Sequence, residues 1–373
     1  MVKLGIIGCG IMGKGHAQSI LDGKVPGAEW TAVCDTDPAV LQWAGKNHPS
    51  VKTFEKTDDL LNSGAVDAVI IATPHYDHPV IAMQALDKKI HVLVEKPAGV
   101  YTKAVREMNA KAAASNVVFA IMYNQRTHPI YRKMREMVQG GQLGELKRTS
   151  WLITDWYRSQ AYYNGGADAG TAKKSWRATW KGEGGGVLIN QCPHNLDLWQ
   201  WICGMPKKIT AFAHAGKWHD IEVEDDVTAY VEYENGATGV FITSTADCPG
   251  NNRFEVLGDL GKLVCENDEL VYHKLSVSER EFNRTNKEMF AAPSAERIVL
   301  DCAGEYTQHP GVIAAFVEKI NGTGELYARG EEGINGLTIS NAMHLSSWLN
   351  RTIELPIDED VFLIELMKRW GGN

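Results

Sequence analysis

The chain has 373 residues, 44% of them hydrophobic and 23% charged, with a formal net charge of −8. That length is enough for two hydrophobic cores, and a mean hydropathy of −0.24 is ordinary for a globular protein. The acidic balance argues against a nucleic-acid or anionic-membrane surface, which needs a basic footprint. No segment reaches the roughly 18–20 continuous apolar residues of a membrane span.

The seven cysteines (Cys9, Cys34, Cys192, Cys203, Cys248, Cys265 and Cys302) are odd in number, scattered, and free of any C-x-x-C pair. This usage suits reduced thiols in a cytoplasm, with neither a disulfide framework nor a metal site expected. The start, "MVKLGIIGCG", runs into a glycine turn with no cleavage pattern, so it is predicted to be a strand and not a signal peptide.

The first strand, "VKLGII" at 2–7, leads to Gly8, Gly10 and Gly13 in G-x-G-x-x-G spacing, with Ile11 and Met12 inside the motif. Helical periodicity follows through Ile20 and Leu21. Glycine serves a tight turn, close backbone approach to a pyrophosphate, and close helix-to-strand packing. The helix start then offers unpaired N–H groups and positive dipole to the phosphates. A second strand, "EWTAVCD", ends in Asp35, where an acidic residue reaches an adenosine ribose. Asp37 follows with no Arg or Lys beside it, which favours NAD over NADP. The alternative is that Asp35 caps the next helix.

Alternation continues through "VKTF", a helix near 58–63, "VDAVIIATP", a helix near 78–88, "IHVLVEKP", a helix at 102–114 and "VVFAIMYN". This pattern predicts an α/β fold with a doubly wound Rossmann sheet, whose cofactor crevice lies at the carboxyl ends of the strands. Thr73, Pro74, His75 and His78 stand at one strand end, Glu95 and Lys96 at another, and Tyr123, Asn124 and Arg126 at a third. All are candidate cofactor contacts except Tyr123, which with Lys96 and Arg126 is a candidate substrate contact. The domain boundary is expected near 123–126, dividing 1–123 from 124–373.

The set "GIIGCGIMG", "ATPHYDHP", "HVLVEKPAG", "MYNQRTHPIYRKMREMVQGGQLGEL" and "GGGVLINQCPHNLDLWQW" resembles the Gfo/Idh/MocA oxidoreductases, which act on sugars and cyclitols. The match spans most of the chain in the family's order. It implies a C-terminal α/β domain with a large, mostly antiparallel sheet that covers the nicotinamide, and a homo-oligomer, whether dimer, tetramer or higher. The residues support such a sheet independently. "DDVTAYVEYENGATGVFITSTAD" reads as two strands joined by Asn235-Gly236, and "RFEVLGDLGKLVCE" as another hairpin.

The resemblance places Lys96 beside the nicotinamide, where an ammonium can hydrogen-bond the substrate oxygen; a cis bond before Pro97 is a family feature. His194 is the expected base, since an imidazole titrates near neutral pH. The family has an Asp four residues before this His; here that position is Asn190, which cannot take a proton but can hydrogen-bond a substrate hydroxyl or orient a ring. On one continuous helix Asn190, His194, Asp197 and Trp201 would share a stripe, but Pro193 implies a kink or a helix start. Asp197 is expected either to hold the imidazole or to serve the helix start.

Trp176 and Arg177 are further candidates for cofactor contact, and Trp176, Asp155, Tyr157 and His309 for the substrate. Arg126 and Arg177 have salt bridging as the alternative, and for His309 a plain surface position is the stronger alternative. Six of the eleven tryptophans lie between 151 and 201 (Trp151, Trp156, Trp176, Trp180, Trp199 and Trp201), with Tyr157, Tyr162 and Tyr163 beside them. They suit either a sugar face or a core and oligomer interface, and the "DWYRSQAYY" loop is expected to be the substrate part.

The expected activity is NAD-dependent oxidation of a secondary ring hydroxyl, with C3 as the family habit, of a sugar, glycoside or inositol to a ketone. Two alternatives are redox-neutral glycoside cleavage through a transient 3-keto intermediate, and a non-catalytic NAD-binding regulator. The partners expected are that small molecule and further copies of the chain, with no nucleic acid and no membrane. In space, Lys96 and His194 are expected to converge on one carbinol opposite a nicotinamide.

Overall fold

A computed structural model describes residues 1–165 and 176–371. It divides into two compact units: Met1–Thr127 with Gly182–Gly184 and Tyr306–Leu337, and His128–Lys181 with Gly185–Glu305 and Thr338–Asn373.

The first unit alternates β1 (Val2–Ile7), α1 (Ile11–Leu21), β2 (Ala28–Cys34), α2 (Pro38–Asn47), β3 (Lys52–Phe54) and α3 (Thr57–Asn62). It continues with β4 (Ala68–Ile71), α4 (Asp77–Asp87), β5 (His91–Val94), α5 (Thr102–Ala113) and β6 (Phe119–Ile121). The six strands form one parallel sheet in the order β3-β2-β1-β4-β5-β6. Central strands covered on both faces need unbroken apolar runs, and β4 (AVII) is buried along its whole length. Leu4, Ile6, Val33, Ile70 and Leu93 share a core with Val312, Ile313, Phe316 and Val317 of the helix Gln308–Ile320. The strand order reverses between β1 and β4, which opens a crevice at their carboxyl ends.

The second unit carries α6 (Pro129–Gln139), β7 (Leu146–Ile153), α7 (Gln160–Tyr163) and α8 (Pro193–Cys203). Strands β8 (Lys208–Ala215), β9 (Glu224–Glu232), β10 (Thr238–Ser244), β11 (Asn252–Gly258), β12 (Gly261–Glu266), β13 (Glu269–Leu275), β14 (Ala295–Val299) and β15 (Ile353–Glu354) follow. They build a nine-stranded sheet ordered β14-β13-β12-β11-β7-β10-β9-β8-β15. Only the β7–β10 pair is parallel. Both predicted hairpins are present, and Gly236 takes φ +83° in the turn between β9 and β10. Alternate side chains of β7 point inward, so Trp151 stacks on Phe254 at 4.2 Å and Trp199 of α8 stacks on Phe241 at 5.3 Å. With Trp180 also buried, half of the tryptophan cluster between 151 and 201 is core; Trp156 and Trp176 are half-buried.

Candidate active site

Gly13 does the packing work expected of it. A Cβ on Gly13 would lie 2.2 Å from the Gly8 carbonyl oxygen, so only glycine lets α1 pack this close to the turn. Nothing lies within 4 Å of where a Gly10 side chain would begin, which leaves room above the turn. Helix α1 has no side-chain cap and no acidic residue in its first turn, so no side chain of its own competes for its N-terminal dipole. Ile11 and Met12 are exposed at its start. The Asp35 carboxylate closes the cradle, accepting the Cys9 N–H at 2.8 Å and the Asp37 N–H at 2.9 Å. Asp37, and not Asp35, caps α2 through the Ala39 N–H.

The loops after β4 and β5 meet through a buried ring. His78 Nδ1 lies 2.7 Å from the Pro97 carbonyl oxygen, and Nε2 lies 2.8 Å from that of Thr73. Burial pushes the His78 pKa down, against the two carbonyls and the Glu95 and Asp77 carboxylates that favour its proton. His75 Nδ1 is 3.0 Å from the Glu183 carbonyl oxygen, Pro74 precedes it in the turn, and the Lys96–Pro97 bond is cis. Thr73 Oγ1 and Asn124 Oδ1 are buried with no hydrogen-bond partner among the described residues, so both remain available to a bound molecule.

Glu95 and its neighbours form a cluster that the sequence did not announce. Its Oε1 pairs with His16 Nε2 at 2.7 Å, and its Oε2 accepts the Lys96 N–H at 3.1 Å. Burial would raise the Glu95 pKa, but the hydrogen bond and charge of His16, with His309 and Lys96, bring it down to about 2. His309 is half-buried, with its ring 5.6 Å from that of His16, rather than on an open surface. The one available signal for His16 was its place on the inner face of α1, three residues after Gly13.

Arg126 is committed elsewhere. Its buried guanidinium meets Glu332 Oε2 at 2.6 Å and the Tyr327 carbonyl at 3.3 Å, and lies 5.5 Å from the buried Tyr123 ring.

In the second unit, α8 starts at Pro193, which occupies its first turn where a missing N–H costs nothing. Asn190 therefore lies in the lead-in, and the stripe of four expected on one helix is reduced to His194, Asp197 and Trp201. His194 is 8% exposed and Asp197 fully buried, one turn apart; Asp197 Oδ1 accepts from Gln200 Nε2 at 3.1 Å. The lead-in is pinned by Glu224, whose buried carboxylate accepts the Gly186 N–H at 2.9 Å and the Leu188 N–H at 3.0 Å and pairs with His344 Nε2 at 3.0 Å. A Cβ on Gly186 would strike the Glu224 carbonyl oxygen at 1.9 Å, so the glycine is needed for this approach.

Asn190 Nδ2 donates to the Tyr162 hydroxyl at 3.1 Å. The guanidinium carbons of Arg158 and Arg177 lie 5.3 and 5.2 Å from the Tyr162 ring, and Arg177 also lies 4.5 Å from that of Trp176. Asp155 and Tyr157 are exposed just beyond β7. Glu224 and His344 are thus added to the residues that the sequence picked out, whereas Arg158 and Tyr162 belong to the "DWYRSQAYY" loop already expected to meet the substrate. Glu224 and His344 stand far from the motif in sequence and gave no local sign.

Two family models match the chain. One, described as an oxidoreductase family with an NAD-binding Rossmann fold, covers residues 2–123; the other, the GFO/IDH/MocA C-terminal domain, covers 131–264. The chain belongs to the Gfo/Idh/MocA oxidoreductase family. Among its relatives it is 28% identical to the rhizopine catabolism protein MocA of Rhizobium meliloti, over 67% of this chain and 73% of that one. It is 30% identical to the inositol 2-dehydrogenase of Corynebacterium glutamicum, over 63% of this chain and 64% of that protein. In fold it is similar to the WlbA dehydrogenase of Bordetella pertussis, solved with NADH and UDP-GlcNAcA, with TM-score 0.79 and 23% identity over 96% of this chain and 99% of that one. As a Gfo/Idh/MocA member the chain is an NAD-dependent oxidoreductase of the CH–OH dehydrogenase type. The open space at Gly10, the uncapped start of α1, Asp35 and the unpartnered Thr73 and Asn124 oxygens fit NAD. No helix among the described residues is long and apolar enough to cross a membrane.

Proposed function

We propose that this enzyme oxidises a secondary ring hydroxyl of a sugar, glycoside or inositol to a ketone, with C3 of a hexose the first position to examine. Bound NAD supplies the hydride acceptor; Gly8, Gly10, Gly13 and Asp35 hold its phosphate and ribose parts. The ammonium of Lys96 donates to the substrate oxygen and stabilises the developing alkoxide, and His194 takes the hydroxyl proton. Asn190 acts as a neutral hydrogen-bonding group, and Asp197 holds the start of α8. The unit of Met1–Thr127 with Tyr306–Leu337 serves the cofactor, and the other unit the substrate and the contacts of a homo-oligomer, which works in the cytoplasm.

The observation that carries this reading is the position of Lys96 just past the end of β5, at the same carboxyl edge of the sheet as the glycine cradle and Asp35. The relationship to an inositol 2-dehydrogenase supports the substrate class. The test is a panel of hexoses, inositols and aryl glucosides with NAD, read by NADH absorbance and product mass. A ketone formed in step with NADH supports the proposal; glycoside cleavage without net NADH would replace it with the redox-neutral route.

A further inference from the structure

We propose that His16 and His78 are positioning residues for Lys96, His16 acting through Glu95 and His78 through the Pro97 carbonyl. The inference rests on the reading of Lys96 as the group that meets the substrate oxygen.

Lys96 lies just past the end of β5, on a loop, where no sheet ladder fixes the backbone. Its own N–H goes to Glu95 Oε2 at 3.1 Å, and the other oxygen of that carboxylate is held by His16 at 2.7 Å. One residue later the Pro97 carbonyl oxygen lies 2.7 Å from His78 Nδ1, while the far side of the same ring reaches the Thr73 carbonyl oxygen at 2.8 Å. The peptide carrying the amine is therefore gripped before and after its side chain. One grip ties it to α1 and the other to the loop after β4.

His16 and His78 are each 1% exposed and Glu95 5%. Burying three titratable side chains is costly unless each is hydrogen-bonded, and here the bonds made are those that fix the Lys96 loop. A neutral His78 ring can donate to only one of the two carbonyls, whereas the imidazolium donates to both, so the full bridge between Pro97 and Thr73 is made by the protonated ring. Rigid support of this kind is what sets a reacting group to within a fraction of an ångström.

The test is a double-mutant cycle on the full-length protein. It uses Lys96→Ala, His78→Asn and Glu95→Gln singly and combined, with NAD and the sugar or inositol that gives turnover. NADH affinity is read by fluorescence, and amide exchange is followed at residues 94–99. His78→Asn and Glu95→Gln are expected to lower kcat by about 10- to 100-fold, more than any change in NADH affinity, and to speed exchange of the Lys96 amide. In the Lys96→Ala background they should remove nothing further. Equal losses in both backgrounds, or unchanged exchange, overturn the positioning role. If Lys96→Ala keeps full turnover while exchange still accelerates in the other variants, the reading of Lys96 fails and takes this inference with it. Where His78→Asn does not fold, His78→Gln takes its place.

Discussion

His16 Nε2 stands 2.7 Å from Glu95 Oε1, with both side chains buried. The first belongs to the helix after the glycine turn and the second to the strand end that carries Lys96, so the pair couples the cofactor cradle to the amine. A carboxylate held this way links the unit's stability to pH.

The folded Glu95 carboxyl titrates at about 2, below its ordinary 4.5. Its contribution is fully present above the ordinary value and is lost as pH falls towards 2, a term on the order of 3 kcal/mol. Urea unfolding from pH 4.5 down towards pH 2 should show the midpoint falling with pH in the parent protein and a flatter dependence in Glu95→Gln. Parallel slopes in the two proteins would remove Glu95 as the source.

Two glycines of one motif should fail in different ways. Gly10→Ala places its methyl in open space, so the melting temperature should hold while NADH affinity drops at least tenfold. Gly13→Ala drives a methyl against the Gly8 carbonyl, so stability should fall by about 1–3 kcal/mol, as for overpacking. Calorimetry and a fluorescence titration of both variants separate the cases, and equal melting temperatures would contradict the assignment.

Asp35 accepts the Cys9 N–H and points its charge at the cradle. Asp35→Ala should weaken NAD binding by about tenfold, the scale of one charge-assisted hydrogen bond, and narrow the preference over NADP. The measurement is the pair of dissociation constants, and an unchanged ratio would show that Asp35 does not read the ribose.

Asn190→Asp puts a carboxylate against the Tyr162 hydroxyl and restores the residue common in the family. The rate-versus-pH profile should gain a second ionisation if position 190 lies in the proton path. A profile that superimposes on the parent places 190 outside it, whereas loss of turnover in His194→Ala would hold the base at 194.

Glu224 binds two backbone N–H groups and His344 in a buried setting, and its pKa is lowered although burial alone would raise it, because His344 and the backbone donors hold the anion. Glu224→Gln keeps the shape and removes the charge, so a loss of about 3–5 kcal/mol is expected, as when one partner of a buried pair is removed. Thermal unfolding reads this directly. A change under about 1 kcal/mol would mean that the backbone bonds alone hold the lead-in.

The sequence by itself was enough for the parallel sheet, for the two hairpins β9–β10 and β11–β12, and for the glycine turn, while the other strands of the nine-stranded sheet and its order emerged only in the folded chain. The former follow from local rules: apolar runs for strands buried on both faces, period-two alternation for β9 and β10, Asn-Gly for a hairpin, and glycines where a side chain cannot fit. Tertiary structure alone decided which charges are spoken for. Arg126 went to Glu332, His16 to Glu95 and Glu224 to His344, all pairs of residues far apart in the chain. Pro193 likewise left two outcomes open in the sequence, and the folded chain starts α8 there, with Asn190 outside it. The physical reason is the same in each case. Local conformation is fixed by neighbours along the chain, whereas a buried charge must be neutralised by whatever group packing brings beside it.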